Sequence, residues 1–202
     1  MLILMAVAFA VSACSSGSDS SEEEPGPAQD TTPQVESSRR YTKAQLPKLA
    51  LQPSDAPRGM RYTKRDSGRM SLAQVGFVLD EQIAEIRALD VKGIYDATFD
   101  STSTDLRLAS RLWLFANADG AQQWLDKTER DSQQFAFQAL TSPDLGDDSW
   151  AARGNLAAEV VTYAFREGNL VVVTSYTTQT EQLSESAALA AAQKAAERLA
   201  DA

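Results

Sequence analysis

Residues 156–178, LAAEVVTYAFREGNLVVVTSYTT, constrain the fold more than any other stretch of this 202-residue chain. Two runs rich in Val, Tyr, Phe and Thr lie either side of Glu167-Gly168-Asn169. β-branched and aromatic residues suit a pleated, half-buried strand, and glycine supplies the positive φ that a short hairpin turn needs. The segment is predicted to be an antiparallel hairpin.

A second hairpin precedes it. Residues 106–116 alternate Leu106, Leu108, Ser110, Leu112 and Leu114 with Arg107, Ala109, Arg111, Trp113 and Phe115, a period of two that means strand. The β-rich run VKGIYDATFDS comes before it, and STSTD between the runs is turn chemistry. Three stretches have helical spacing. Residues 71–90 place Leu72, Val75, Leu79, Ile83, Ile86 and Leu89 three and four apart, most cleanly from Asp80 onward, because Gly76 interrupts the first half. Asn117-Ala118-Asp119 caps a helix through about Arg130, with Ala121, Trp124, Leu125 and Thr128 inward. The last helix is expected to open on a capping box from Thr178 to Glu181 and to run to about Ala200 on an alanine-rich face. The order helix, hairpin, helix, hairpin, helix predicts an α+β fold. We expect an antiparallel sheet of about four strands in two hairpin-plus-helix units, 92–130 and 156–200, with the helices packed on one face. The other sheet face would then meet a ligand through Tyr95, Trp113, Tyr163 and Tyr176.

The N-terminal residues MLILMAVAFAVSA carry no charge and fall short of the ~20 apolar residues that cross a bilayer. They match the apolar core and cleavage zone of a signal peptide, residues 1–13. Val11-Ser12-Ala13-Cys14 resembles a bacterial lipobox, which implies diacylation of Cys14 and cleavage just before it. No Lys or Arg precedes Cys14, so the translation start is expected upstream of Met1. Two acyl chains hold a protein stably where one does not. Residues 14–40 comprise the lipidated Cys and a disordered Ser/Glu/Pro-rich tether with too little apolar surface to fold and a root-mean-square reach of ~28 Å. Asp19, Glu22, Glu23 and Glu24 would be repelled by anionic headgroups, which keeps the tether off the surface. Residues 41–202 are the expected single α+β extracytoplasmic domain.

Chemistry is bounded by what is missing. The chain has no histidine, and its one cysteine is assigned to lipid. That removes Ser-His-Asp and Cys-His catalysis, histidine-ligated metals, disulfides and thiol redox chemistry together. Residues 1–40 hold six acids and two bases, leaving −5 of the chain's net −9 in the domain. With no clustered Lys and Arg, nucleic acid is not an expected partner. The loop carrying Asp144, Asp147 and Asp148 is the one candidate ligand loop. Three carboxylates could offer oxygens to Ca²⁺, but the spacing is not that of an EF-hand, and a polar turn is the favoured reading. Ser67, Ser71 and Lys64 lack the Ser-x-x-Lys order of a nucleophile pair. Trp113, Trp124 and Trp150 are expected in the core before they are expected in a pocket.

The Ala118-Asp119-Gly120-Ala121 helix start, Leu145-Gly146-Asp147 ahead of a strand, the Gly168-Asn169-Leu170-Val171-Val172 hairpin and the alanine-rich last helix resemble the small, mostly uncharacterised surface lipoproteins and sensor-type extracellular domains of actinobacteria and related high-GC bacteria. The likeness spans about residues 45–200 and brings no catalytic residues or cofactor with it. It implies a ligand- or protein-sensing exterior module. Together with the lipobox, the expected function is that of a noncatalytic, lipid-anchored domain, facing outside the cytoplasm, that binds a small ligand, an envelope component or a protein. A carboxylate-dependent envelope enzyme and a structural envelope protein are the alternatives.

Overall fold

The computed structural model describes residues 39–75, 80–155, 157–180 and 183–202. The signal peptide, Cys14 and the tether as far as residue 38 lie outside the described residues. In chain order the elements are α1 (Leu46–Leu49), β1 (Met60–Tyr62), β2 (Gly68–Met70), α2 (Asp80–Ala88), β3 (Val91–Ser101), β4 (Arg107–Phe115), α3 (Ala118–Gln134), β5 (Gln138–Ala139), β6 (Asp148–Asn155), β7 (Glu159–Glu167), β8 (Leu170–Thr178) and α4 (Glu185–Ala200).

The strands form one antiparallel sheet in the order β1-β3-β4-β8-β7-β6-β5, with β2 also on β3. Both expected hairpins are present. β3 pairs β4 with Tyr95 opposite Leu112, and β7 pairs β8 around Gly168 at φ +56. The hairpins join through β4 and β8, where Leu112 faces Val172 and Arg111 faces Val173. The architecture is α+β as expected, but with eight strands where about four were read. β1, β2 and β5 are two or three residues long, too short to show a period. β6 reads DSWAARGN and lacks β-branched residues. It is a strand because β7 offers it a complete ladder, from Asp148 opposite Arg166 to Asn155 opposite Glu159.

The helices lie on both faces of the sheet, not on one. Alternation sends Leu108, Leu112, Val161, Phe165, Leu170 and Val172 to a first face, under Leu46 and Leu49 of α1 and Ala188, Ala192, Ala195 and Leu199 of α4. Trp113, Phe115, Trp150, Ala164 and Val171 go to the second, against Ile86 of α2 and Ala121, Trp124 and Leu125 of α3. The physical reason lies in β7 and β8, whose apolar residues run on consecutively, because strands covered on both sides need no polar face.

Two helix boundaries differ from expectation. α3 starts as read, its Asn117 Oδ1 accepting from the Gly120 N–H at 2.8 Å, but continues to Gln134. α4 opens at Ser184, whose hydroxyl accepts from the Ala187 N–H. Thr178 cannot cap it, because it is still in β8 opposite Glu159 and its hydroxyl donates to Asp105 at 2.7 Å. Of the predicted 71–90 helix, residues 76–79 lie outside the described residues, Leu72–Gln74 form a 3-10 turn, and the part from Asp80 is α2.

Candidate functional site

α3 covers only part of the second face. Beside Trp124 and Thr128 of α3, the described residues leave a groove of about 650 Å³ on the sheet, a volume in the range of small-molecule sites. Its floor is a grid set by register. β4 contributes Ala109, Arg111 and Trp113, β8 contributes Val173, Ser175 and Thr177, and Val160 adds the edge from β7. Trp124 and Thr128 of α3 form one wall and Gln74 and Val75 the other. The floor is open because Ala109, Ser175 and their neighbour Thr162 are small, and Thr162 is already engaged, its hydroxyl 3.0 Å from that of Ser175.

Polar groups in the groove are held rigidly. Arg111 makes a two-pronged pair with Asp96 across the β3–β4 ladder, Nε to Oδ1 and Nη2 to Oδ2, both 2.7 Å. The Asp96 side chain is 7% exposed and that of Arg111 30%, so the carboxylate is spent and the remaining guanidinium N–H groups face solvent. The guanidinium carbon lies 5.9 Å from the centre of the Trp113 ring, within cation–π range. Trp113 packs on Trp124 with centroids 4.7 Å apart and planes at 48°. Trp150 donates its indole N–H to the Thr128 hydroxyl at 3.3 Å. The indole N–H of Trp124 is buried and has no partner, which costs ~1–3 kcal/mol.

The three tryptophans are thus core residues, and two of them also edge the groove. Of the aromatics expected on the open face, only Trp113 is there. Tyr163 and Tyr176 are buried on the first face with α4, and Tyr95 packs against that same cluster. Helix coverage of both faces is what removes them.

The acidic loop does not gather its carboxylates. Asp147 pairs with the buried Arg166 at 3.0 Å and accepts from the Gly168 N–H at 2.8 Å, while its own N–H donates to the Arg166 carbonyl. Asp148 accepts from Gln122 Nε2 at 2.7 Å, and the Oε1 of the same amide accepts from Arg166 Nε at 2.6 Å. Gly146, at φ +63, lets the loop pass where a Cβ would overlap the Arg166 carbonyl. The loop is fastened to the β7–β8 turn, and Asp144 takes no part in that network. Ser67 accepts from the Thr98 N–H and donates to the Thr63 carbonyl, while Ser71 caps the Leu72–Gln74 turn through Gln74. Neither serine is placed with Lys64.

Next to the groove, sharing Thr177 with it, lies a smaller hollow at the β3–β4 loop. There Asp105 accepts from the Thr178 and Thr180 hydroxyls and the Gln179 N–H. These bonds hold its carboxyl down at about 2.

Sequence reading missed Arg111, Val173, Ser175 and Thr177 as site residues. Their signal was odd-numbered position on two strands, which has meaning only once β4 is known to lie beside β8. No family model and no curated protein matches the chain. Among solved structures, the extracellular domain of PknH from Mycobacterium tuberculosis superposes with a TM-score of 0.58 at 14% identity, over 81% of this chain and 99% of that one. At that identity the likeness is one of fold.

Proposed function

We propose that this chain is a lipid-anchored extracytoplasmic binding or sensing module that takes a small amphipathic ligand in the second-face groove. The observation that carries the reading is the patch of sheet that the described residues leave uncovered between α3 and the Leu72–Gln74 turn, with an indole wall beside a fixed guanidinium. Apolar lining with a few convergent polar groups is the usual make-up of a ligand pocket. A ligand acceptor that reaches the Trp124 N–H recovers the cost of leaving it unpaired. The exterior location is supported by a shared fold with a domain described as extracellular, and the anchor by Val11-Ser12-Ala13-Cys14.

Trp113 and Trp124 make the groove its own reporter. Indole emission of the folded chain is titrated with a lysophospholipid, a soluble muropeptide and a short envelope polysaccharide, and repeated on Ala109→Phe, which fills the floor. We expect one of the three to shift the emission of the wild type and to leave the filled variant unmoved. No response to any of them, or an equal response from the filled variant, overturns the groove as the ligand seat.

A further inference from the structure

Residues 57–70, PRGMRYTKRDSGRM, hold five bases and one acid in a domain whose net charge is −5. The segment is therefore +4 and the rest of the domain −9. No cluster of this kind stands out as a run in the sequence, because the bases are spaced by Gly, Met, Tyr, Thr and Ser. The fold sets them along one sheet edge, with Arg61 toward the second face beside Asp100 and Arg69 toward the first beside Tyr95. β1 and β2 lie end to end along the same edge of β3, Arg61 opposite Asp100 and Arg69 opposite Tyr95, with the Lys64–Asp66 turn bulging between them.

Arg58, Arg61, Lys64, Arg65 and Arg69 are all exposed, and none makes an ion pair within the described residues. The acids nearest them are already engaged. Asp66 and Asp100 both bind Arg107, Asp100 also accepts from the Thr63 hydroxyl, and Asp96 is held by Arg111. Short, charged strands protect a sheet edge from pairing with another chain. Edge protection explains a charge on each strand, but not five of one sign where the remaining surface is acidic.

We propose that the β1–β2 edge docks on anionic phospholipid headgroups of the membrane that holds the chain. The proposal rests on the reading that Cys14 carries the anchor, which brings the edge and the headgroups within one tether length. Each base near an anionic leaflet adds attraction that falls off within a Debye length. The −9 remainder of the domain is repelled by the same surface, so the charge asymmetry selects one orientation, basic edge down. The acidic tether and the basic edge then act in opposite senses, the first standing off and the second settling.

The test uses the chain from Ser15 onward, which lacks the lipid-bearing residue and keeps the compact unit Gln34–Ala202 whole. Its sedimentation with vesicles of phosphatidylglycerol and phosphatidylcholine is compared with vesicles of phosphatidylcholine alone, in low and high salt. Variants neutralise Arg58, Arg61, Lys64, Arg65 and Arg69 to Gln singly and together, with Lys48, Arg87 and Arg130 to Gln as the control, each checked by thermal melt. Expected are binding to the anionic vesicles alone, a fall of about fivefold for each edge base removed, abolition by salt, and an unchanged control. No preference for anionic vesicles, an equal loss in the control, or tighter binding to duplex DNA than to vesicles overturns it. Palmitate labelling of Cys14 in the whole chain is scored separately, so failure of the anchor and failure of the edge are told apart.

Discussion

Asn169 and Tyr41 exchange a pair of hydrogen bonds across 128 residues of sequence: the Tyr41 N–H donates to Asn169 Oδ1 at 2.7 Å, and Asn169 Nδ2 donates back to the Tyr41 carbonyl at 3.1 Å. The same amide nitrogen donates to the Phe115 carbonyl at 2.9 Å. One buried side chain thus ties the start of the described chain to the end of β4 and the β7–β8 turn. Asn169→Ala leaves the backbone groups of Tyr41 buried and unpaired, so a loss of ~2–4 kcal/mol is expected by urea unfolding. A loss below ~1 kcal/mol, the size of an ordinary surface substitution, would show that the segment at Tyr41 is dispensable to the fold.

The side chains of Arg166 and Asp147 are 7% and 11% exposed, and they fasten the acidic loop to β7. Breaking a buried pair from one side strands the other charge, which costs ~3–5 kcal/mol. Asp147→Asn should therefore lower stability markedly, whereas Asp148→Asn, whose residue is exposed, should change it little. Millimolar Ca²⁺ should leave the melting temperature of the wild type where it is. A calcium-dependent rise lost in Asp147→Asn would return the loop to metal binding.

The central hairpins were legible because strand propensity and turn chemistry sit next to one another in the chain around Gly168 and around Ser101–Asp105. The coverage of β7 and β8 on both faces was also written in their nearly unbroken apolar runs, Val160 to Phe165 with Thr162 as the one polar member and Leu170 to Val173, though alternation in β4 argued for a half-open sheet. Nothing local announced β6, since Ser149-Trp150-Ala151-Ala152 becomes a strand only by pairing with β7. The groove is less local still. Arg111 meets Val173 because two hairpins dock edge to edge, and neither hairpin specifies that neighbour. The acidic loop looked like surface because Arg166, its partner, is a β7 residue on the far side of the turn.

Asp105 contributes to the acid end of the pH range, beside Asp55, Asp100 and Glu159, which are also held down, and Tyr176 to the alkaline end, beside Tyr41, which is pushed up to about 12 as well. The Asp105 carboxyl is held down from 3.8 to about 2. The unfolded chain thus binds its proton first as pH falls, and stability declines from pH 4 to pH 2. Asp105→Asn should flatten that acid limb. Burial pushes the Tyr176 hydroxyl up from 10 to about 12. Its contribution is complete below pH 10 and lost as pH rises to 12, so Tyr176→Phe should make the alkaline limb shallower, with the Tyr41 part remaining. Chemical denaturation across both windows checks the two signs, and unchanged limbs in the variants would contradict the assignment.

Cys14→Ser tests the anchor without touching any described residue. Thioether lipidation and the cleavage that follows it both need the sulfur. The variant should therefore lose palmitate label and leave the detergent phase on Triton X-114 partitioning, or persist as an uncleaved precursor. Because the sheet and both cores lie in residues 41–202, its melting temperature should match that of the wild type. Equal labelling and partitioning of the two proteins would remove the lipobox.

Asp96 and Arg111 should respond unequally to truncation, although they share two bonds of 2.7 Å. Arg111→Met removes the cation and leaves a carboxylate that is 7% exposed without its partner, a cost of ~3–5 kcal/mol for an uncompensated buried charge. Asp96→Asn leaves the guanidinium, which is 30% exposed, able to turn to water, so the loss should be nearer the ~1.5–3 kcal/mol of a hydrogen bond to a charged group. Asp96→Asn also releases Arg111 from its fixed position beside Trp113, and an amphipathic ligand of the kind proposed for the groove should bind more weakly while the fold holds. Urea unfolding of both variants gives the order of the stability losses. If Asp96→Asn proves the more damaging of the two, it is the burial of Arg111 and not that of Asp96 that sets the cost of breaking the pair.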